Sequence, residues 1–131
     1  HHTRTEDAEK FVEETGVDAL AISVGTVHGV FSSKPDIDFD RIARIRNSIG
    51  TPLVLHGCSG LSDDDFKNVI RNGVTKINYF TDLIIEASRK AKEFLNGESA
   101  MAYFELNKNA MTAMKNMIKS KMDILGSAGK A

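Results

Sequence analysis

Two histidines, each beside a glycine, close two short apolar runs. The first run, Val17 to Val24, leads into Gly25-Thr26-Val27-His28-Gly29. The second, Thr51 to Leu55, leads into His56-Gly57-Cys58-Ser59-Gly60. Neutral imidazole is the commonest protein ligand for zinc, and two imidazoles leaving adjacent strands at one rim could converge on a single ion. The plain alternative is that each is a turn residue. Two ligands do not complete a catalytic zinc site, which takes about three protein ligands and keeps one position open. His1 and His2 precede the first helix, so the third ligand is not expected in this chain.

The glycines around these histidines carry a second chemistry. Gly57-Cys58-Ser59-Gly60 falls between a strand and a helix start, where backbone N–H groups and the helix dipole favour an anion. Ser59 adds a hydroxyl, and Thr81 offers the same chemistry near the next helix start. Gly-rich turns and helix caps are also common without any ligand. Cys58 has two readings: a thiol activated at a helix N-terminus, or small apolar filler, the second being preferred. Lys76 stands two residues before Asn78, so both fall on one side of a strand. It is either a Schiff-base nucleophile or, more commonly, a structural cation paired with a carboxylate. Asp63, Asp64 and Asp65 read as a solvated first helical turn.

These residues need elements to hold them, and the pattern supplies an alternation of helix and strand. A helix over Thr5–Thr15 is expected, with Thr5 as cap, Ala8, Phe11 and Val12 on one face and Gly16 as stop. The strand Val17–Val24 follows. Pro35 and Asp36 or Asp38 open a second helix with Phe39, Ile42, Ile45 and Ile49 on its apolar face, closed by Gly50. Thr51–His56 is the second strand. Ser62 caps a third helix with Phe66, Val69 and Ile70 inward, stopped at Gly73. Val74–Asn78 is the third strand. A fourth helix runs from Thr81 or Asp82 to Leu95, broken by Gly97-Glu98-Ser99. The last runs from Ala100 to Lys121, with Met101, Phe104, Met111, Met114, Met117 and Ile118 read as core filler. Residues 126–129 are expected to be loose.

Strands alternating with helices and no hairpin signal predict an α/β fold with parallel strands. Three strands are few for such a sheet, and fit part of a (β/α)8 TIM barrel of about 250 residues better than a free-standing domain. No linker or low-complexity stretch divides residues 1–131, which read as the C-terminal portion of one barrel domain, with residues 1–2 either a tag remnant or native.

Composition narrows the function classes. Seventeen Lys and Arg balance eighteen Asp and Glu over 131 residues, a formal net charge of −1. That balance gives no electrostatic footprint for nucleic acid or an anionic membrane. No apolar run is long enough to span a bilayer. A single cysteine, Cys58, excludes an intrachain disulfide and fits a reducing, cytoplasmic compartment.

The motifs in order resemble the class II, metal-dependent ketose-bisphosphate aldolases. They are Asp18-Ala19-Leu20-Ala21 with Gly25-Thr26-Val27-His28-Gly29, then Pro52-Leu53-Val54-Leu55-His56-Gly57-Cys58-Ser59-Gly60, then Gly73-Val74-Thr75-Lys76-Ile77-Asn78. The tagatose- and fructose-bisphosphate branch is the most similar, and the C-terminal stretch from Tyr103 through Ala113-Met114-Lys115 to Gly126-Ser127-Ala128 fits it. The resemblance implies a TIM barrel of which this chain supplies strands six to eight and the C-terminal helices. It implies His28 and His56 as zinc ligands. It implies Gly29, Gly57, Cys58 and Ser59 in phosphate binding, Thr81 with them, and Asn78 as the catalytic contact to the enediolate part of the substrate. A monovalent cation, Na+ or K+, is implied nearby, and so is a dimer or tetramer.

The implied activity is reversible cleavage of a ketose 1,6-bisphosphate to dihydroxyacetone phosphate and glyceraldehyde 3-phosphate, a lyase reaction of glycolysis and carbohydrate metabolism. Two departures stand out. Phe80 occupies a position where many fructose-bisphosphate enzymes carry Asp, which leaves the sugar open. Cys58 replaces a usual Gly or Ala. No Asp-x-Ser-His run, the family's source of a first zinc histidine and a proton carrier, occurs in the chain. A Schiff-base aldolase using Lys76 and a non-catalytic phosphate-binding fragment are the alternatives.

Overall fold

In the computed structural model, the described residues are 2–29, 33, 35–97 and 103–130. They fall into two compact units, residues 1–79 and 80–131.

The first unit holds a three-stranded parallel sheet and three helices. Its elements run α1 (Thr5–Thr15), β1 (Leu20–Ile22), α2 (Phe39–Ser48), β2 (Leu53–Leu55), α3 (Asp63–Arg71) and β3 (Val74–Ile77), with strand order β1-β2-β3. This is the predicted parallel α/β arrangement. Each strand is shorter than its apolar run, because only the central residues share a ladder. Leu20, Ala21 and Ile22 face Leu53, Val54 and Leu55.

Between β2 and β3 the register slips. Leu53 faces Val74 but Val54 faces Lys76, which leaves Thr75 as the extra residue of a bulge. The Thr75 hydroxyl donates to the Leu53 carbonyl at 3.0 Å. Past the bulge Leu55 faces Ile77, and the N–H of Asn78 donates to the Leu55 carbonyl at 3.0 Å.

The core lies between sheet and helices. Ile22, Val24, Ile42, Ile45, Leu53, Leu55, Phe66 and Val69 are all buried. The helix ends are fixed locally. Gly16 takes the left-handed conformation (φ +63°) and its N–H donates to the Val12 carbonyl, the stop the sequence predicts. Thr5, by contrast, is the first helical residue and not the cap; Arg4 holds that position with no side-chain bond. Asp38 is the cap of α2, its carboxylate accepting the Arg41 N–H, and Ile49 rather than Gly50 closes that helix. Ser62 caps α3 in a reciprocal capping box with Asp65. Asp65 is therefore buried and not part of a solvated turn, while Asp63 and Asp64 are exposed. The Tyr79 ring meets Phe66 edge to face, centroids 6.0 Å apart, which pins the chain just after Asn78.

The second unit is a helix pair, α4 (Thr81–Gly97) packed on α5 (Tyr103–Ile124). Arg89 bridges Glu86 and Glu93 along α4, and Lys90 also reaches Glu93. The expected helix break at Glu98 and Ser99, the start at Ala100 and the side chain of Met101 lie outside the described residues. The apolar stripe of α5 is not core in this chain: none of its residues is buried, Phe104 is 86% exposed and Met111 69%. Two helices alone cannot enclose a stripe that wide. After α5 the N–H groups of Ser127 and Ala128 both donate to the Met122 carbonyl and close the helix end, and residues 126–129 are exposed. Among the described residues no helix is long and apolar enough to cross a membrane.

Candidate functional site

The polar residues gather where the strands of the first unit end. β1 and β2 are neighbours, so the segments after them leave the sheet side by side. Two contacts hold these segments together. Thr26 Oγ1 donates to the His56 carbonyl at 2.7 Å. Gly57 has φ +67°, and a Cβ built on it would stand 2.5 Å from the Val27 carbonyl oxygen. Only glycine permits that approach. A second such point is Gly25, φ +112°, whose Cβ would meet the Asp36 carbonyl oxygen at 2.1 Å.

The result is that the two histidines meet. His28 Nε2 lies 3.4 Å from His56 Nδ1, with ring centroids 5.5 Å apart and the planes at 69°. That separation is long for a hydrogen bond. It matches two nitrogens on one tetrahedral zinc: two Zn–N bonds of about 2.05 Å set their nitrogens about 3.3 Å apart. The donor set therefore fits a shared ion as far as it goes. Among the described residues no third His, Cys, Asp or Glu joins them. The histidines border an open cleft of about 590 Å³, whose lining also includes Ala21, Thr26 and Gly57.

Asn78 reaches the same place from β3. The bulge at Thr75 brings it level with His56, and its Nδ2 lies 2.9 Å from Nε2 and 3.1 Å from Nδ1 of that ring. An amide nitrogen nearly equidistant from both ring nitrogens stands over the imidazole and not at one edge. Lys76 completes the row, its Nζ donating to Asn78 Oδ1 at 2.6 Å. The expected partner of Lys76 was a carboxylate. It is instead this amide: the spacing of two puts both side chains on one face, and the bulge makes that the face of His56.

The turn after β2 is packed inward. Gly57, Cys58 and Ser59 are buried, and Gly29 is half-buried beyond His28. The Cys58 thiol donates to the Leu55 carbonyl at 3.4 Å, and burial pushes its pKa up to about 12. Of the two readings of Cys58, the structure supports filler; a thiol held neutral is no nucleophile. Phe80 and Thr81 belong to the second unit. Phe80 is 67% exposed, its carbonyl accepts the N–H of Leu83 and Ile84, and Thr81 begins α4. Sequence reasoning did not reach Thr26 or Thr75, whose hydroxyls do the positioning. A threonine beside a strand end carries no distinguishing signal.

Parallel strands alternating with helices, with two histidines at neighbouring strand ends, are the architecture of part of an α/β barrel, and comparison with known proteins agrees on that class. The class II fructose-bisphosphate aldolase family matches residues 1–130. The chain belongs to that family. It is 39% identical over all 131 residues to uncharacterized protein YdjI of Escherichia coli K12, covering 46% of that protein. It superimposes with a TM-score of 0.90 on the crystal structure of the YdjI aldolase from the same organism, at 39% identity over 100% of this chain and 48% of that one. Fructose-bisphosphate aldolase from Campylobacter jejuni gives a TM-score of 0.83 at 20% identity, covering 99% of this chain and 47% of that one, a likeness of fold. The chain thus spans about half the length of the relatives it matches, and its fold is that of the C-terminal half of an aldolase barrel.

Proposed function

We propose that this chain is the zinc- and phosphate-binding half of a class II aldolase. The reaction is reversible cleavage of a ketose 1,6-bisphosphate, fructose or tagatose, to dihydroxyacetone phosphate and glyceraldehyde 3-phosphate. The observation that carries the proposal is the 3.4 Å approach of His28 Nε2 to His56 Nδ1 in a chain of this family. The proposal covers a protein of the relatives' full length, with this chain contributing strands six to eight and both units part of one barrel domain.

His28 and His56 would hold the metal through those nitrogens. Bound zinc supplies Lewis-acid polarisation of the substrate ketone. Asn78 presents its amide N–H beside His56, where it would orient the hydroxyl oxygens of the three-carbon unit. The N–H groups of Gly29, Gly57 and Cys58, with the Ser59 hydroxyl, would bind its phosphate at the start of α3 and so fix the reacting carbons. Phe80 and Thr81 enter as substrate contacts on the resemblance alone. The proton at the cleaved carbon–carbon bond would be moved by an acid/base group outside this chain. A monovalent cation (Na+ or K+), a homo-oligomer and a cytoplasmic setting are proposed with the family.

The test is elemental analysis of the whole protein together with an assay of dihydroxyacetone phosphate release from fructose and tagatose bisphosphates. About one zinc per chain with release abolished by chelation is the expected result. Release that survives chelation, with a substrate adduct trapped by borohydride on Lys76, would establish the Schiff-base alternative. Phosphate binding at full zinc content without turnover would establish a non-catalytic role.

A further inference from the structure

We infer that Lys76 is a positioning residue: its ammonium donates to Asn78 Oδ1 at 2.6 Å and thereby fixes which end of the amide faces the His56 imidazole. The inference rests on the aldolase reading for its catalytic consequence, but not for its geometry.

A primary amide has a donor end and an acceptor end of nearly equal size, so a half-turn about its terminal bond exchanges them. Asn78 sits between two groups that settle the choice. A lysine ammonium carries three donors and no acceptor. The reversed amide would bring an NH2 group against it. With Oδ1 held by Nζ, the Nδ2 hydrogens must point toward His56. They are then the donors that a substrate oxygen meets beside the two histidines. A charge-assisted bond is also roughly twice as strong as a neutral one and polarises the amide along its length. The N–H end becomes a better donor where negative charge on oxygen would develop.

The backbone provides for this arrangement. Without the slip at Thr75, Lys76 would face Leu55, and Lys76 and Asn78 would turn away from Val54 and His56. The bulge turns both onto the histidine face in one step. It also gives Lys76 a task that does not need a free amine, unlike Schiff-base chemistry.

The test uses the whole protein with Lys76→Met, Lys76→Gln, Lys76→Arg, Asn78→Ala and the double variant Lys76→Met/Asn78→Ala. Zinc content, kcat and KM are measured with fructose and tagatose bisphosphates, alongside the visible spectrum of the cobalt-substituted protein. The expected result is a fall in kcat of roughly ten- to a hundredfold in Lys76→Met at unchanged zinc content, the range for partners of a metal site's own ligands. KM should hold, Lys76→Arg should recover part of the loss, and the double variant should be no worse than Asn78→Ala alone. The cobalt bands should shift alike in Lys76→Met, Asn78→Ala and the double variant. Multiplying losses in the double variant, or cobalt bands unmoved in Lys76→Met, would overturn the inference. If Lys76→Met does not fold, Lys76→Gln gives the same comparison with a neutral donor. If the wild type binds zinc but cleaves neither sugar, the aldolase reading fails and the cobalt spectra still decide the role of Lys76.

Discussion

The Thr75 hydroxyl donates to the Leu53 carbonyl at 3.0 Å across the point where β3 slips by one residue against β2. This bond ties down the residue left over by the bulge. It has a measurable consequence. Thr75→Val keeps the shape and removes the donor, and should cost about 1 kcal/mol in urea unfolding. Thr75→Ser should cost less. Because the bulge sets Asn78 level with His56, the Val variant should also lower turnover in the whole protein more than zinc content.

That bulge marks the limit of what the sequence shows. The first two strands were legible as short apolar runs leading into glycine-containing turns, the third as a short run after the Gly73 stop, and the rim residues followed from the strand ends. Lys76 and Asn78 could be placed on one side by their spacing of two. Which side that is depends on register, and Val74-Thr75-Lys76-Ile77 alternates poorly enough to pair either way. The same limit applies to Asp65: three consecutive acids look like a solvated turn until the bond to Ser62 buries one of them. The apolar face of α5 was legible as a face, but periodicity does not say what covers it.

Asp38 gives a pH-dependent prediction. Its half-buried carboxylate accepts the Arg41 N–H at 2.8 Å and Arg41 Nε at 2.9 Å, with Arg44 and His2 each 3.9 Å away. The backbone bond first, then the Arg41 guanidinium and the charge of Arg44, hold its pKa below the ordinary aspartate value against the opposing effect of burial. A folded pKa below the unfolded one means stability that is fully present above the unfolded value of about 3.9 and lost as pH falls through the folded one. Asp38→Ala should therefore lower stability by about 1 kcal/mol at pH 7, the usual worth of such a cap. The gap between variant and wild type should narrow as pH falls through the lowered folded pKa, where the wild-type carboxyl becomes neutral and loses its charge-assisted bonds. Thermal melts across that range would show a pH-independent gap if the carboxylate charge were irrelevant.

Cys58 should behave as a buried thiol. With its pKa pushed up to about 12, iodoacetamide at pH 8 should label it only after unfolding, seen as a mass increment that appears with denaturant. Cys58→Ala should leave KM for the bisphosphate close to wild type, because the proposed phosphate contact there is the backbone N–H. A large rise in KM would assign the contact to the side chain.

Gly57 is the position where fold and site depend on the same atom. Its backbone is left-handed, and a Cβ there would stand 2.5 Å from the Val27 carbonyl oxygen, one residue before His28. Gly57→Ala meets both penalties at once. The left-handed conformation alone costs an ordinary residue about 1–2 kcal/mol, and the clash is with backbone, which cannot rotate aside. Relief requires the segments after β1 and β2 to move apart, and their close approach is what sets His28 against His56. The variant should therefore lose stability by more than about 2 kcal/mol in urea. It should also lose zinc under conditions where it remains folded, as judged by circular dichroism. A variant that loses stability but keeps its full zinc content would show that the histidine spacing does not depend on this contact. A Gly25→Ala control meets an equally hard clash, at 2.1 Å from the Asp36 carbonyl oxygen. That clash is with the segment before α2 and not with the segment that carries His56, so the control should lose stability without the selective loss of metal.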